Sequence, residues 1–234
     1  MAWLAGVDGC RKGWFRICRE TTSGELAFDV VDTVDALVEE PPGPTIVALD
    51  MPIGLRASGA RECDKAARAC LGPRRSSVFP APLRAAVVAR SRKEASEITR
   101  QIDGRKVGAQ AWAIYPKIRR VDETLASSAA ACGAIREVHP EVCFWAWNGR
   151  KPMQWAKKKA EGLRERVALA EAWLGEGILQ RARGDYRKKD LADDDIIDAI
   201  AGLWTAHRIA DGTAKTLPDS PPRDETGLPM EIVF

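Results

Sequence analysis

The first fifty residues alternate short apolar runs with turn chemistry. Trp3-Leu4-Ala5-Gly6-Val7 reads as a buried strand ending on Asp8, and Gly9 to Gly13 as a tight turn with Arg11 and Lys12 at its tip. Trp14 to Cys18 returns as a second strand, and Leu26 to Val31 is a third. Asp32 is placed to cap a short helix over Val34 to Glu39, with Asp35 as capping partner; Pro41-Pro42-Gly43-Pro44 stops it. Ile46-Val47-Ala48-Leu49 is apolar throughout, the pattern of an interior parallel strand, and it ends on Asp50.

From about Gly54 to Val121 the chain turns basic and alanine-rich, interrupted by Pro73, Pro80, Pro82 and Pro116. This predicts two or three helices inserted between strands. Ala134 to Trp147 returns to strand character, and Lys157 to Leu174 is helical by composition. Asp190 to Ala210 is the strongest helix: Ile196, Ile200, Leu203 and His207 share one face, and Gly212 is its stop. The Pro- and Asp-rich tail ends in Met-Glu-Ile-Val-Phe, which can dock on its own domain or on a partner. The expected architecture is one α/β domain over residues 1–212, with a mixed five-stranded sheet flanked by helices. It carries a helical basic insertion at about 56–121 and a tail at 213–234.

Composition changes this picture in three ways. Apolar content of 45% and charged content of 29% describe a globular chain. No apolar run approaches the roughly 20 residues needed to cross a bilayer, and no signal peptide is read at the start, so a cytoplasmic protein is expected. The net charge of +3 conceals an asymmetry: residues 56–120 hold 16 Lys/Arg against 5 Asp/Glu, a net of +11, leaving −8 for the rest. That segment is either a surface for a polyanion or a solvated arginine-rich face. The six cysteines and two histidines lack zinc-ligand spacing, and there is no Walker A loop, GxGxxG or GxSxG.

The candidate chemistry lies in carboxylates. Asp8 and Asp50 each close an apolar strand beside a turn, where α/β sheets place ligands. Each alone is explained by turn capping; together, on strands expected to be neighbours, they point to a shared site. Asp195 and Asp198 are i, i+3 neighbours at the start of the strongest helix. Helix-dipole electrostatics explains Asp193 and Asp194, but Asp198 less well. Asp8, Asp50, Asp195 and Asp198 form a hard-oxygen set suited to Mg²⁺ or Mn²⁺. If Glu137-Val138-His139-Pro140-Glu141 is a strand, Glu137, His139 and Glu141 share a face. Glu137 is then a further ligand candidate, and His139 a proton shuttle or a structural histidine. Trp145 and Trp147, with Trp155 nearby, either pack in the core or stack on bases. Lys157-Lys158-Lys159 reads as a solvated helix face.

Several blocks resemble the domain-of-unknown-function 429 family: Gly6-Val7-Asp8-Gly9-Cys10-Arg11-Lys12-Gly13-Trp14, Ala48-Leu49-Asp50-Met51-Pro52-Ile53-Gly54-Leu55, Arg61-Glu62-Cys63-Asp64, Ser76-Ser77-Val78-Phe79-Pro80, Ala113-Ile114-Tyr115-Pro116-Lys117-Ile118-Arg119, Glu137-Val138-His139-Pro140-Glu141 and Asp194-Asp195-Ile196-Ile197-Asp198-Ala199. Members are described as predicted nucleases with an RNase H-like fold. The resemblance therefore implies a metal-dependent hydrolase acting on DNA or RNA. Asp195-Ile196-Ile197-Asp198-Ala199 also resembles the last-helix element of Holliday-junction resolvases of that fold. There two aspartates join a first-strand aspartate and a carboxylate from a later strand, a role for which Asp50 and Glu137 compete. On this reading Arg11, Lys12, Arg61, Arg74, Arg75, Lys117 and Arg119 hold the nucleic-acid backbone. Two rival readings are a nucleotide-binding or phosphotransfer protein of the related actin-like ATPase topology, and a non-catalytic nucleic-acid-binding module. Oligomeric state is open, a homo-oligomer included.

Overall fold

The computed structural model describes all residues, 1–234. Strands β1 (Trp3–Cys10), β2 (Gly13–Glu20) and β3 (Leu26–Val31) form an antiparallel meander. Helix α1 (Ala36–Glu39) leads into β4 (Ile46–Leu49). The N-terminal cap differs from expectation: the Ala36 amide donates to Thr33 Oγ1 at 3.2 Å, not to Asp32. β4 pairs parallel to β1, and β5 (Ile135–Glu137) parallel to β4, giving the order β3-β2-β1-β4-β5 with β2 alone reversed.

Between β4 and β5 lies a helical excursion longer than the sequence pattern indicates. It contains α2 (Glu62–Leu71), a 3₁₀ segment (Gly72–Ser77), α3 (Arg84–Val87), α4 (Arg92–Asp103), α5 (Ala109–Ser127) and α6 (Ala129–Ala134). Helix α5 runs through Pro116, which was expected to break it. The proline is exposed, and burial of Tyr115, Ile118 and Val121 on the opposite side carries the helix past the lost hydrogen bond. After β5 come α7 (Pro140–Trp147), α8 (Ala160–Leu174), α9 (Ile178–Arg183) and α10 (Asp193–Ala210). The strand character expected over Ala134 to Trp147 thus ends at Glu137. Pro140 sits at the first turn of a helix, where its missing N–H costs nothing.

Alternation along the strands divides the core into two layers. Leu4, Phe15, Ile17 and Ala48 face α7 to α10; Ala5, Val7, Trp14, Val47 and Leu49 face α1, α5 and α6. Helix α10 lies directly on β1 and β4 because two glycines permit it. A Cβ on Gly6 would stand 1.9 Å from the Ala199 carbonyl oxygen, and one on Gly202 would stand 2.9 Å from that of Ala48. This close approach fixes the height of α10 above the ends of β1 and β4.

The tail folds back on the body. β6 (Thr216–Leu217) pairs antiparallel with β7 (Ile232–Val233), and Met230, Ile232 and Phe234 pack with Cys63, Ala67, Leu71 and Val142. No helix is long and apolar enough to cross a membrane.

Candidate metal centre

Asp8 lies opposite Phe15 in the β1–β2 register, so its side chain projects on the α10 face. The Asp50 amide continues the ladder by donating to the Val7 carbonyl at 3.0 Å, and alternation places its carboxyl on the same face as Ala48. Asp198, buried on the underside of α10, descends onto both. The three carboxylates offer ligand oxygens that all lie within 4.8 Å of one another. Gly9 N–H donates to Asp8 Oδ1 at 2.6 Å.

The electrostatics follow from crowding in a desolvated place. Burial, then Asp50, then Asp198, push the Asp8 carboxyl well above its ordinary value. Burial and Asp198 push Asp50 up to about 8. Asp8 and Asp50, whose ionisation burial and neighbouring carboxylates oppose, converge with Asp198 as a set of hard oxygen donors that could hold a metal ion.

The fourth predicted ligand, Asp195, lies outside this three-acid cluster. Asp195 turns back to accept the Ala192 amide at 2.9 Å, capping α10, and burial pushes its carboxyl to about 6. Glu137 is excluded from the cluster by strand parity. It pairs with Leu49, not Asp50, and therefore faces the opposite layer. There it accepts two hydrogen bonds at 2.7 Å from Arg61 and one at 2.6 Å from the Ile53 amide, while burial pushes its carboxyl up to about 7 against the pull of Arg61. Arg61 also holds Asp64 at 2.6 Å and the Ile53 carbonyl at 2.9 Å, so this buried network fixes the loop after Asp50.

His139 precedes α7 instead of sharing a strand face with Glu137 and Glu141. Its Nε2 lies 3.4 Å from the Ser77 carbonyl oxygen, its Nδ1 is buried without a partner, and burial lowers its pKa. Glu141 is held by Arg166 at 2.8 and 2.9 Å. Trp147 stacks on Trp204 at 5.2 Å and Trp145 meets Phe234 at 5.5 Å, both as packing residues; Trp155 is exposed.

The basic residues divide similarly. Arg61 is buried, Arg74 donates to the carbonyls of Met153 and Gln154, and Arg119 donates to those of Val87 and Ala89. Lys117 donates to the Gly13 carbonyl at 2.6 Å over the Trp14 ring. Arg11, Lys12 and Arg75 are exposed.

Lys157 belongs to the loop before α8, not to a solvated helix face, and its ammonium pairs with Asp198. Asp198 first, then Asp8 after burial's opposing effect, raise its pKa. Nothing local in Lys157-Lys158-Lys159 separates it from its two exposed neighbours.

Fold and site together define an α/β protein with a carboxylate cluster, at the carboxyl ends of two parallel strands, that could hold a metal ion. A family model described as "Protein of unknown function (DUF429)" matches residues 6–223, and the chain belongs to that family. No curated protein and no solved structure matches it.

Proposed function

We propose that this chain is a Mg²⁺- or Mn²⁺-dependent phosphodiesterase acting on nucleic acid, built on an RNase H-like fold. The observation that carries the reading is the convergence of Asp8, Asp50 and Asp198, from three separate elements, on one point above the parallel strands. The order β3-β2-β1-β4-β5 with only β2 reversed supports the fold assignment.

Asp8, Asp50 and Asp198 hold the ion. When bound, it supplies positive charge beside the scissile phosphate and acidifies a water molecule. The chain's own residues do the rest. The Glu137–Arg61–Asp64 network orients the loop that follows Asp50, and Gly6 and Gly202 let α10 bring Asp198 within reach. Arg11 and Lys12, exposed at the β1–β2 turn just beyond Asp8, and Arg75 on the 3₁₀ segment contact backbone phosphates.

The test is cleavage of end-labelled single-stranded, duplex, hybrid and branched substrates in Mn²⁺. Expected is cleavage of at least one class by wild type, abolished by Asp8→Asn and by EDTA. Equal inactivity of both proteins on every substrate overturns the proposal.

A further inference from the structure

Lys157 is held over the carboxylates by more than its own side chain. Arg74 grips the Met153 and Gln154 carbonyls, and Glu165 accepts from the amides of Gln154 at 3.1 Å and Trp155 at 2.9 Å. Arg166, anchored on Glu141, donates to the Trp155 carbonyl at 3.1 Å. Helix α8 also meets this segment at Gly162, where a Cβ would stand 2.0 Å from the Ala156 carbonyl oxygen. Two arginines, a glutamate and a glycine therefore set the backbone of the residues just before Lys157. From there the ammonium reaches Asp198, whose side chain is only 3% exposed, although the lysine side chain itself is 40% exposed.

An ammonium has no lone pair and cannot ligate a metal, and it repels any divalent ion placed against it. Its position therefore subtracts from the space and charge available to cations. When all three carboxylates are ionised, they and the one ammonium carry a net of −2, which a single divalent ion neutralises. Geometry agrees with charge: an octahedral Mg²⁺ with oxygens at about 2.1 Å keeps its ligand atoms roughly 3 to 4 Å apart. One oxygen from each of the three carboxylates lies within 4.8 Å of the other two, close enough for the three to meet on one ion. A second ion about 3.5 to 4 Å from the first needs further ligand oxygens beside these three. The fourth acid that could extend the array, Asp195, lies outside the three-acid cluster and gives one of its oxygens to the Ala192 amide.

We infer that Lys157, paired with Asp198, is a built-in cation that restricts this centre to one divalent ion. This rests on the metal-centre reading above and specifies its stoichiometry. Because Lys157 is set by a loop and not by the carboxylates, its role is separable from theirs.

The test is Mn²⁺ binding to the intact chain, read as loss of the free-ion electron paramagnetic resonance signal and by isothermal titration, without substrate. The comparison is wild type against Lys157→Met and Lys157→Arg, each checked for an unchanged circular dichroism spectrum. Expected is one ion per chain in wild type and Lys157→Arg, and two in Lys157→Met. Two ions in wild type with no change in Lys157→Met overturns the role of Lys157 while leaving the metal centre standing. One ion in all three proteins overturns it also. Absence of binding in all three overturns the metal centre itself, and the inference with it.

Discussion

Replacing Asp50 by Asn should stabilise the metal-free protein, by an amount that grows with pH. Burial first, and Asp198 second, raise the Asp50 carboxyl from 3.8 to about 8. The folded state thus retains a proton that the unfolded chain has released. By linkage, stability is highest below pH 3.8, falls as pH rises from there to about 8, and is level above that. At about 1.4 kcal/mol per unit, the shift sets a ceiling of about 5 to 6 kcal/mol on the loss. A second route gives a similar size: two carboxylates no more than 4.8 Å apart repel by about 3 kcal/mol at an effective dielectric near 20. Lys157 offsets part of this repulsion. The expected gain for Asp50→Asn at pH 8 in EDTA is then about 2 to 4 kcal/mol, or roughly 5 to 10 °C in Tm for a chain of this size. The assay is thermal melting from pH 5 to pH 9 in EDTA, repeated in saturating Mn²⁺. In EDTA the wild-type Tm should fall with pH while the variant stays flatter, and the gain should shrink towards pH 5. In Mn²⁺ the wild type should recover more than the variant, which has lost a ligand. A variant that melts at or below wild type at pH 8 in EDTA, or a gain of equal size at pH 5 and pH 8, refutes the reasoning.

Four further outcomes follow from the same geometry. Gly6→Ala should cost more than about 3 kcal/mol in urea unfolding, beyond ordinary overpacking, because its Cβ meets α10 backbone at 1.9 Å and the whole helix must lift. A variant within 1 kcal/mol of wild type, as a rough limit, contradicts the described packing. Arg166→Met should cost about 3 to 5 kcal/mol by leaving buried Glu141 without its partner, and protease digestion should then cut the 153–157 loop faster. Asp195→Ala should lose about 1 kcal/mol of helix-cap stability, with Mn²⁺ affinity changed by only a few-fold. Asp198→Asn should lose Mn²⁺ binding, and equal losses in the two variants would return Asp195 to the ligand set.

The meander, the apolar strand at Ile46–Leu49 and the last helix were legible because each carries its own period and its own stops. Residues 140–147 were not. Pro-Glu-Val-Cys-Phe-Trp-Ala-Trp is apolar on nearly every side, so it shows no period to distinguish a short buried helix from a strand. Asp8, Asp50 and Asp198 could be picked out because strand ends and helix spacing are local features. Asp195 satisfied the same spacing rule as Asp198, and only the backbone geometry of the first turn shows that it bends back to cap the helix. Lys157 had no local mark, since its partner lies 41 residues away.

Strand parity and charge balance together separate the candidate centre from the acids that merely support it. Glu137 stands on β5, beside β4, as buried as any ligand, yet the register with Leu49 turns it into the other layer, where Arg61 meets it bidentately. Glu141 and Arg166 form a second bidentate pair. In these places a buried carboxylate is answered by a guanidinium of fixed geometry, and the pair holds a loop in position. At the third place the answer is incomplete: Lys157 donates to Asp198, while Asp8 takes its hydrogen bond from the uncharged Gly9 amide. A fold that commits arginines to Glu137 and Glu141 but leaves three converging aspartates short of positive charge accepts a local cost in stability. On the proposed function a cation from solution would complete the cluster and remove that cost, so the stability of this protein should respond to Mn²⁺ at the same residues that its proposed chemistry requires.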